Sequence, residues 1–223
     1  MSGKKFIYRV GINDADYAIK KCEELPRVNG KQNQKVIWRC PFYTKWMSML
    51  NRCYSENYKD KRPTYKDCSV CEEWLIFSNF KRWMETQDWE GRHLDKDLLV
   101  YQNKVYSPET CCFIPREVNL FLTKSSNSRG LYPLGVSRMV KQKDRPSVKA
   151  KPFQSRISKG GVSNFLGYYE TPEQAHRAWQ KAKIDLTKVL KKEQTDTRII
   201  AGLQRIINKI QNDYDNNLET VDF

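Results

Sequence analysis

Leu134-Gly135-Val136, a basic tract running from Arg138 to Lys151, Phe153-Gln154-Ser155-Arg156-Ile157, Phe165-Leu166-Gly167-Tyr168-Tyr169, and then Thr171-Pro172-Glu173-Gln174-Ala175-His176-Arg177-Ala178-Trp179 form the stretch that decides the fold. The first three apolar runs are short and turn-bounded, and they predict three strands. Thr171 fits an N-cap, Pro172 a first helical turn, and Glu173 the positive end of a helix dipole. Ala175, Ala178 and Ala182 keep one face of that helix small enough to lie close on a sheet. The helix is expected to continue to about Lys192. From Phe121 to Tyr169 ten Lys and Arg face Asp144 alone, a net +9 out of the chain's +14. Charge concentrated in this way on a small sheet is the electrostatic footprint of a polyanion binder.

Composition bounds the rest. The 223 residues allow one large domain or two small ones. A 39% hydrophobic content with six Trp and twelve Tyr is globular rather than disordered. No run approaches the roughly 18 apolar residues of a membrane span, so no membrane partner is expected. The N-terminus, Met1-Ser2-Gly3-Lys4-Lys5-Phe6-Ile7-Tyr8, lacks the apolar core of a signal peptide. Seven cysteines, an odd number, then favour free thiols and a soluble intracellular location.

Along the N-terminal half, Phe6 to Ile12 reads as a strand, and Asn13 to Asp16 as the cap of a short helix to about Cys22. Residues 26 to 36 read as a polar loop. From Pro41, Trp46, Met49, Leu50 and Cys53 follow at helical spacing. Tyr54 to Tyr65 reads as loop, and Glu72 to Thr86 as a helix with Trp74, Phe77, Phe80, Trp83 and Met84 on one face. Leu94 to Val100 and Val105 to Ile114 read as extended segments, with a short helix from Pro115 to Leu122. Lys124 to Tyr132, rich in Ser, Asn and Gly, is the expected linker. Near the C-terminus Ile199, Ile200, Leu203, Ile206, Ile207 and Ile210 form an a/d-like seam. It is too short for a coiled coil and is expected mainly to pack on its own domain, with homodimerisation through this helix as the alternative.

The strand-strand-strand-helix order, with Leu166-Gly167-Tyr168-Tyr169 feeding Thr171-Pro172-Glu173-Gln174-Ala175, resembles the AP2 DNA-binding domain. That resemblance implies a sheet laid in the major groove of double-stranded DNA, which is wide enough for a two-stranded ribbon. Carried over, it points to Arg138, Arg156, Lys159 and Tyr168. Lys141, Lys143, Arg145, Lys149 and Lys151 lie in a first hairpin that is longer and more basic than the family pattern.

A second set of motifs occupies the N-terminal half: Cys40-Pro41-Phe42-Tyr43-Thr44-Lys45-Trp46, Arg52-Cys53-Tyr54-Ser55, Leu94-Asp95-Lys96-Asp97 and Tyr106-Ser107-Pro108-Glu109-Thr110-Cys111. They resemble tailed-bacteriophage proteins in which an HNH-type, homing-like endonuclease module precedes an AP2 domain. The resemblance implies a ββα-metal hairpin, metal-dependent cleavage of DNA with Mg²⁺ or Mn²⁺, and a bacterial host cytoplasm. Such a site needs a His as base, a carboxylate or second His on the cation, and usually an Asn to orient the His-bearing loop. Aligned on the hairpin, the family's Asp-His pair falls on Asp95-Lys96. A lysine of ordinary pKa, about 10.4, is protonated and cannot serve as the base, though it would neutralise charge on the phosphorus. His93 is the only imidazole in this half, and Asn119 is a further candidate. Asp95, Asp97, Asn103 and Glu109 are the candidate cation ligands. Two residues apart on a strand, Asp95 and Asp97 would point to opposite faces, and a salt bridge from Asp97 to Lys104 or Lys96 is the alternative. Cys68 and Cys71, with Cys111 and Cys112, admit a structural Zn²⁺ clamp, against which they read as small apolar core residues.

The expected fold class is therefore α+β. An N-terminal helical region with a ββα-like hairpin (1–123) is joined by a linker (124–132) to a three-stranded antiparallel sheet plus helix (133–192), and then to a C-terminal helix and tail (193–223). Two functions remain open: a metal-dependent DNA endonuclease, or a DNA-binding regulator or inhibitor that has lost cleavage.

Overall fold

The computed structural model describes residues 6–122, 131–139 and 150–223. The chain is α+β and divides into two compact units, Met1–Phe113 and Ile114–Phe223. The division thus falls earlier than the 124–132 stretch expected as linker. The reason lies in α4 (Arg116–Leu122), which buries Val118 and Phe121. The Phe121 carbonyl accepts from Lys183 Nζ at 2.8 Å, and its ring meets Phe223, so α4 belongs to the C-terminal unit.

The first unit opens with an antiparallel hairpin of β1 (Lys20–Val28) and β2 (Lys31–Arg39). This overturns two expectations, the short helix ending near Cys22 and the polar loop at 26–36. Asn29 and Gly30 sit at φ +50° and +75°, the left-handed pair that a two-residue hairpin turn requires. The turn sets the register, and strand pairing replaces both readings. Phe6 to Ile12 is likewise no strand. Ile7 bridges back to Gly11 in a tight loop, and Ile12 pairs with Ile76.

In α1 (Pro41–Tyr54) the expected face, Trp46, Met49, Leu50 and Cys53, is buried. The segment read as loop after it contains α2 (Glu56–Lys61), with the Tyr58 N–H donating to Ser55 Oγ at the N-cap. The helix expected over 72–86 is interrupted. A 3₁₀ turn at Glu72–Leu75 is followed by α3 (Phe77–Glu85), with Ile76 extended between them. Ile12 causes the break, because its N–H donates to the Leu75 carbonyl (2.7 Å) and its carbonyl accepts from Phe77 (3.0 Å). A tertiary pairing here takes the backbone groups that a continuous helix would use. The core gathers Trp46, Trp74, Phe77, Phe80 and Met84, and Trp46 Nε1 donates to the Trp74 carbonyl at 2.7 Å.

Only short pieces of the two expected extended segments are strands: β4 (His93–Asp95), β5 (Val105–Tyr106) and β6 (Cys112–Ile114). β5 runs parallel to β3 (Ser69–Val70), while β4 pairs with β6.

The second unit contains the expected three-stranded antiparallel sheet, in the order β7 (Val136–Arg138), β8 (Phe153–Lys159), β9 (Val162–Tyr169). Helix α5 (Pro172–Lys192) starts as its sequence predicts, the Thr171 hydroxyl accepting from the Gln174 N–H at 3.2 Å. Gly135, at φ +78°, lets Trp179 of α5 lie against the backbone, since a Cβ there would sit 2.0 Å from the Trp179 Cδ1 atom. Helix α6 (Thr197–Asp215) buries Ile199, Leu203, Ile206, Ile207 and Ile210 and packs on α5. The apolar seam is covered within its own unit, as its expected packing on its own domain requires.

A buried polar chain closes this unit. His176 Nδ1–H donates to the Leu134 carbonyl (2.9 Å), and its Nε2 accepts from the Thr220 N–H (3.0 Å). The Thr220 hydroxyl donates to Asp213 (2.9 Å), and Gln180 donates to Thr220 (3.0 Å). These bonds tie the start of the sheet to the C-terminal tail.

Candidate nucleic-acid interface and the Asp95-Lys96 loop

In the second unit, strand alternation sorts the sheet into two faces. Ser155 and Ile157 of β8 are buried towards α5, whereas Arg156 points away from the helix. Register places Ser137, Gln154 and Tyr168 together on that outer side, with Phe165 opposite Arg156. Gln154 donates to Ser137 Oγ (2.9 Å) and Arg156 Nε to Ser163 Oγ (2.9 Å). The Arg156 guanidinium lies 5.9 Å from the Phe165 ring, which contacts Tyr168 at 4.7 Å between centroids. Phe165 and Tyr168 remain 47% and 44% exposed, so the face presents a cation, an amide and two rings to solvent.

Not every expected contact joins that face. Arg138 pairs with Phe153, which shares the parity of Ser155, so it belongs to the α5 side of the sheet although its end is exposed. Lys151 precedes β8 and Lys159 ends it at the hairpin tip, both exposed. Lys141, Lys143, Arg145 and Lys149 lie outside the described residues. Phe165, Ser163 and Gln154 are additions that sequence reasoning passed over, although alternation along β8 and β9 carries the signal for them.

In the first unit, the residues expected around a cation build a loop instead. Asp95 ends β4, and its Oδ1 accepts the N–H groups of Asp97 (3.0 Å) and Leu98 (2.7 Å). The strand stops there, so Asp97 is no longer on it, and the opposite-face expectation for the pair lapses. Burial raises the Asp95 pKa, against these two hydrogen bonds. Lys96 is buried; its Nζ donates to Asp97 Oδ1 (2.5 Å) and to the Asn103 carbonyl (2.7 Å). This is the Asp97 salt bridge to Lys96, one of the two pairings anticipated. Burial works against the Lys96 charge, but the Asp97 carboxylate wins and holds its pKa above the usual value. Lys96 is therefore a fixed cation and no base.

Asn103 is also occupied. Its amide nitrogen donates to the Lys96 and Val105 carbonyls (2.9 and 2.6 Å), and its oxygen accepts from the Val105 N–H (3.1 Å). Glu109 is fully exposed, its pKa lowered by a hydrogen bond from Ser107. His93 is exposed on β4 and shares a face with Asp95, while Leu94 between them is buried. Asn119 lies on α4, in the other unit.

Arg52 of α1 is an addition to this neighbourhood. Its Nη1 donates to the Tyr106 hydroxyl (3.4 Å), and both Arg52 and Lys96 stand 5.9 Å from the Tyr65 ring. Two cations and two phenols thus converge. Nothing in the Arg52-Cys53-Tyr54 motif indicated that, because the partners come from a separate 3₁₀ turn, Pro63–Tyr65, and from β5.

Among the described residues, no three His, Cys, Asp or Glu side chains stand together as cation ligands. The expected Mg²⁺ or Mn²⁺ set of Asp95, Asp97, Asn103 and Glu109 does not converge. Nor do Cys68, Cys71, Cys111 and Cys112 form a zinc tetrahedron. Cys68, Cys111 and Cys112 are buried, and burial raises the thiol pKa of Cys68, Cys71 and Cys111, which keeps these groups protonated and apolar.

Comparison with known proteins returns no matching family model, no matching curated protein and no matching solved structure. Among the described residues no helix is long and apolar enough to cross a membrane.

Proposed function

We propose that the chain is a duplex-DNA-binding protein that reads its target with the outer face of the β7–β8–β9 sheet, in the manner of an AP2 domain. The observation that carries this reading is the exposed group of Arg156, Phe165 and Tyr168 with the half-buried Gln154 beside them, backed by α5. Arginine and amide side chains reach base edges and phosphates, and aromatic rings stack on bases or fill against thymine methyls. The basic segment between β7 and β8, from Lys141 to Lys149, adds the phosphate attraction that sequence-independent affinity needs. The test is titration of labelled duplex by fluorescence anisotropy. Arg156→Ala and Tyr168→Ala should each weaken binding by roughly 5- to 150-fold, the effect of about 1–3 kcal/mol per lost base contact. Unchanged affinity in both variants would remove the sheet from the interface.

A second reading, DNA cleavage of the HNH type, draws support from the first unit. β4 pairs with β6, the strand pair that a ββα module would need, although the helix that follows along the chain, α4, belongs to the other unit. His93 and Asp95 share one face of β4, whereas the buried Lys96 cation is already paired with Asp97 and Arg52 is held by the Tyr106 hydroxyl. The side chains present do not fit a preformed cation site, so no step is assigned to Mg²⁺ or Mn²⁺. Incubation with supercoiled plasmid and either ion separates the two readings. Nicking that is lost in Asp95→Asn, which keeps the hydrogen-bond acceptor but drops the charge, would establish cleavage. Duplex binding without nicking would leave a reader whose biological use is regulatory or inhibitory.

A further inference from the structure

The β1–β2 hairpin takes no part in either function proposed for the chain, and its physical state is unusual. From Lys20 to Arg39 none of its described side chains is buried. Two paired strands without a covered face are marginal in water, because little apolar area offsets the conformational entropy of ordering them. Ile37 and Trp38 are nevertheless 58% and 42% exposed, and both are residues that a folded protein normally covers.

Charge says what covers them. The segment Lys20–Arg39 carries six cations, Lys20, Lys21, Arg27, Lys31, Lys35 and Arg39, against Glu23 and Glu24. No ion pair forms within the hairpin among its described residues, although Glu23 and Lys35 are register partners. Gln32, Asn33 and Gln34 come after the turn, and all three are exposed. Lys21 stands 5.8 Å from the Trp38 ring, so one face offers an aromatic plane with its own cation. A bulge at Ile37 brings Lys35, the partner of Glu23, onto that same face, while Arg39, the partner of Lys20, lies on the other face with Val36. At about 3.3 Å per residue each strand reaches roughly 30 Å, and the major groove, about 12 Å wide, admits a two-stranded ribbon.

We propose that the β1–β2 hairpin is a second duplex-DNA contact, a cationic ribbon that inserts into the major groove and is ordered by it. Lys35 and Arg39 with Lys20 and Arg27 meet phosphates, while the Gln32-Asn33-Gln34 amides and Trp38 reach the bases. The identity of the partner rests on the reading of the chain as a DNA binder, whereas the uncovered, positively charged ribbon does not. The competing occupant is a strand from another protein molecule added to the open edge of the sheet, a hazard of exposed strands.

The experiment uses the whole chain. Arg27→Ala, Lys35→Ala and Arg39→Ala combined alter exposed positions alone, and thermal unfolding should match the parent. Duplex titrations across a salt series should then show a log–log slope shallower by about 2 to 3, since each lost phosphate contact removes about 0.9. Hydrogen exchange on the parent chain supplies a reading independent of any variant. Amides from Lys20 to Arg39 should slow at least tenfold when duplex is added. Fast exchange there, with slowing confined to β7–β9, would overturn the hairpin contact and leave the sheet reading intact. A triple variant with the parent's slope would do the same. Absence of duplex binding by the parent would remove both. Self-association in the absence of DNA that Trp38→Ala abolishes would assign the ribbon to a protein partner and overturn the proposal.

Discussion

Gly135 and His176 are the two positions in the second unit where one side chain decides the packing. Replacing Gly135 by alanine drives a methyl into the Trp179 indole, 2.0 Å from Cδ1, at a backbone φ of +78°. The combined clash and backbone strain should destabilise this unit by about 2–4 kcal/mol, measurable as a lowered urea midpoint. His176 donates from Nδ1 and accepts at Nε2, which fixes it as a neutral ring. Burial lowers its pKa, the Leu134 carbonyl opposing that shift in part. The unfolded chain then binds a proton more readily than the folded one. Stability from this group is complete above its unfolded value of about 6.5 and drains away as pH falls through the lower folded value. Urea unfolding at pH 7.5 and pH 5 should show that loss in the parent and a flatter dependence in His176→Gln. The turn residues Asn29 and Gly30 illustrate the opposite case. They announce a hairpin in the sequence, and the polar composition around them hid it, because a ribbon exposed on both faces lacks the apolar alternation by which strands are recognised.

Among the elements, those with one apolar face followed their sequence closely. α1 buries the residues that its spacing names, α5 begins at its Thr-Pro cap, and α6 buries its isoleucine stripe. The stripe also makes a prediction. If it serves only to pack α6 on α5, Ile206→Ala should cost about 2–4 kcal/mol of stability and leave the sedimentation mass unchanged. A mass that halves in the variant would restore a dimer seam. Elements whose backbone pairs with distant chain behaved differently. The aromatic face of 72–86 is real, and Trp74, Phe77, Phe80 and Met84 are all buried. Ile12, some sixty residues upstream, nonetheless breaks that helix at Ile76. Helical periodicity reports which side chains face the core, and it carries no information on a hydrogen-bonding competitor from elsewhere.

At the scale of the molecule, the excess of Lys and Arg predicts how it should bind. With about 5–7 phosphates neutralised, log K for duplex should fall against log salt with a slope near −5 to −6. An affinity indifferent to salt between 50 and 200 mM would contradict an electrostatic interface of this size. Composition and periodicity by themselves determined the α+β class, the sheet-then-helix order after residue 133 and the net charge, since each depends on local chemistry alone. They also supplied the acidic-basic sequence at Asp95-Lys96-Asp97. Only the tertiary structure decided what those groups do: Asp95 ties down the Asp97 and Leu98 amides, Lys96 is spent on Asp97 and Asn103, and Arg52 arrives from α1. It likewise moved the boundary between the units ahead of α4, through the Lys183 bond to Phe121. A side chain's type fixes which bonds it can make, but which of them forms depends on the partners that distant chain brings within about 3 Å.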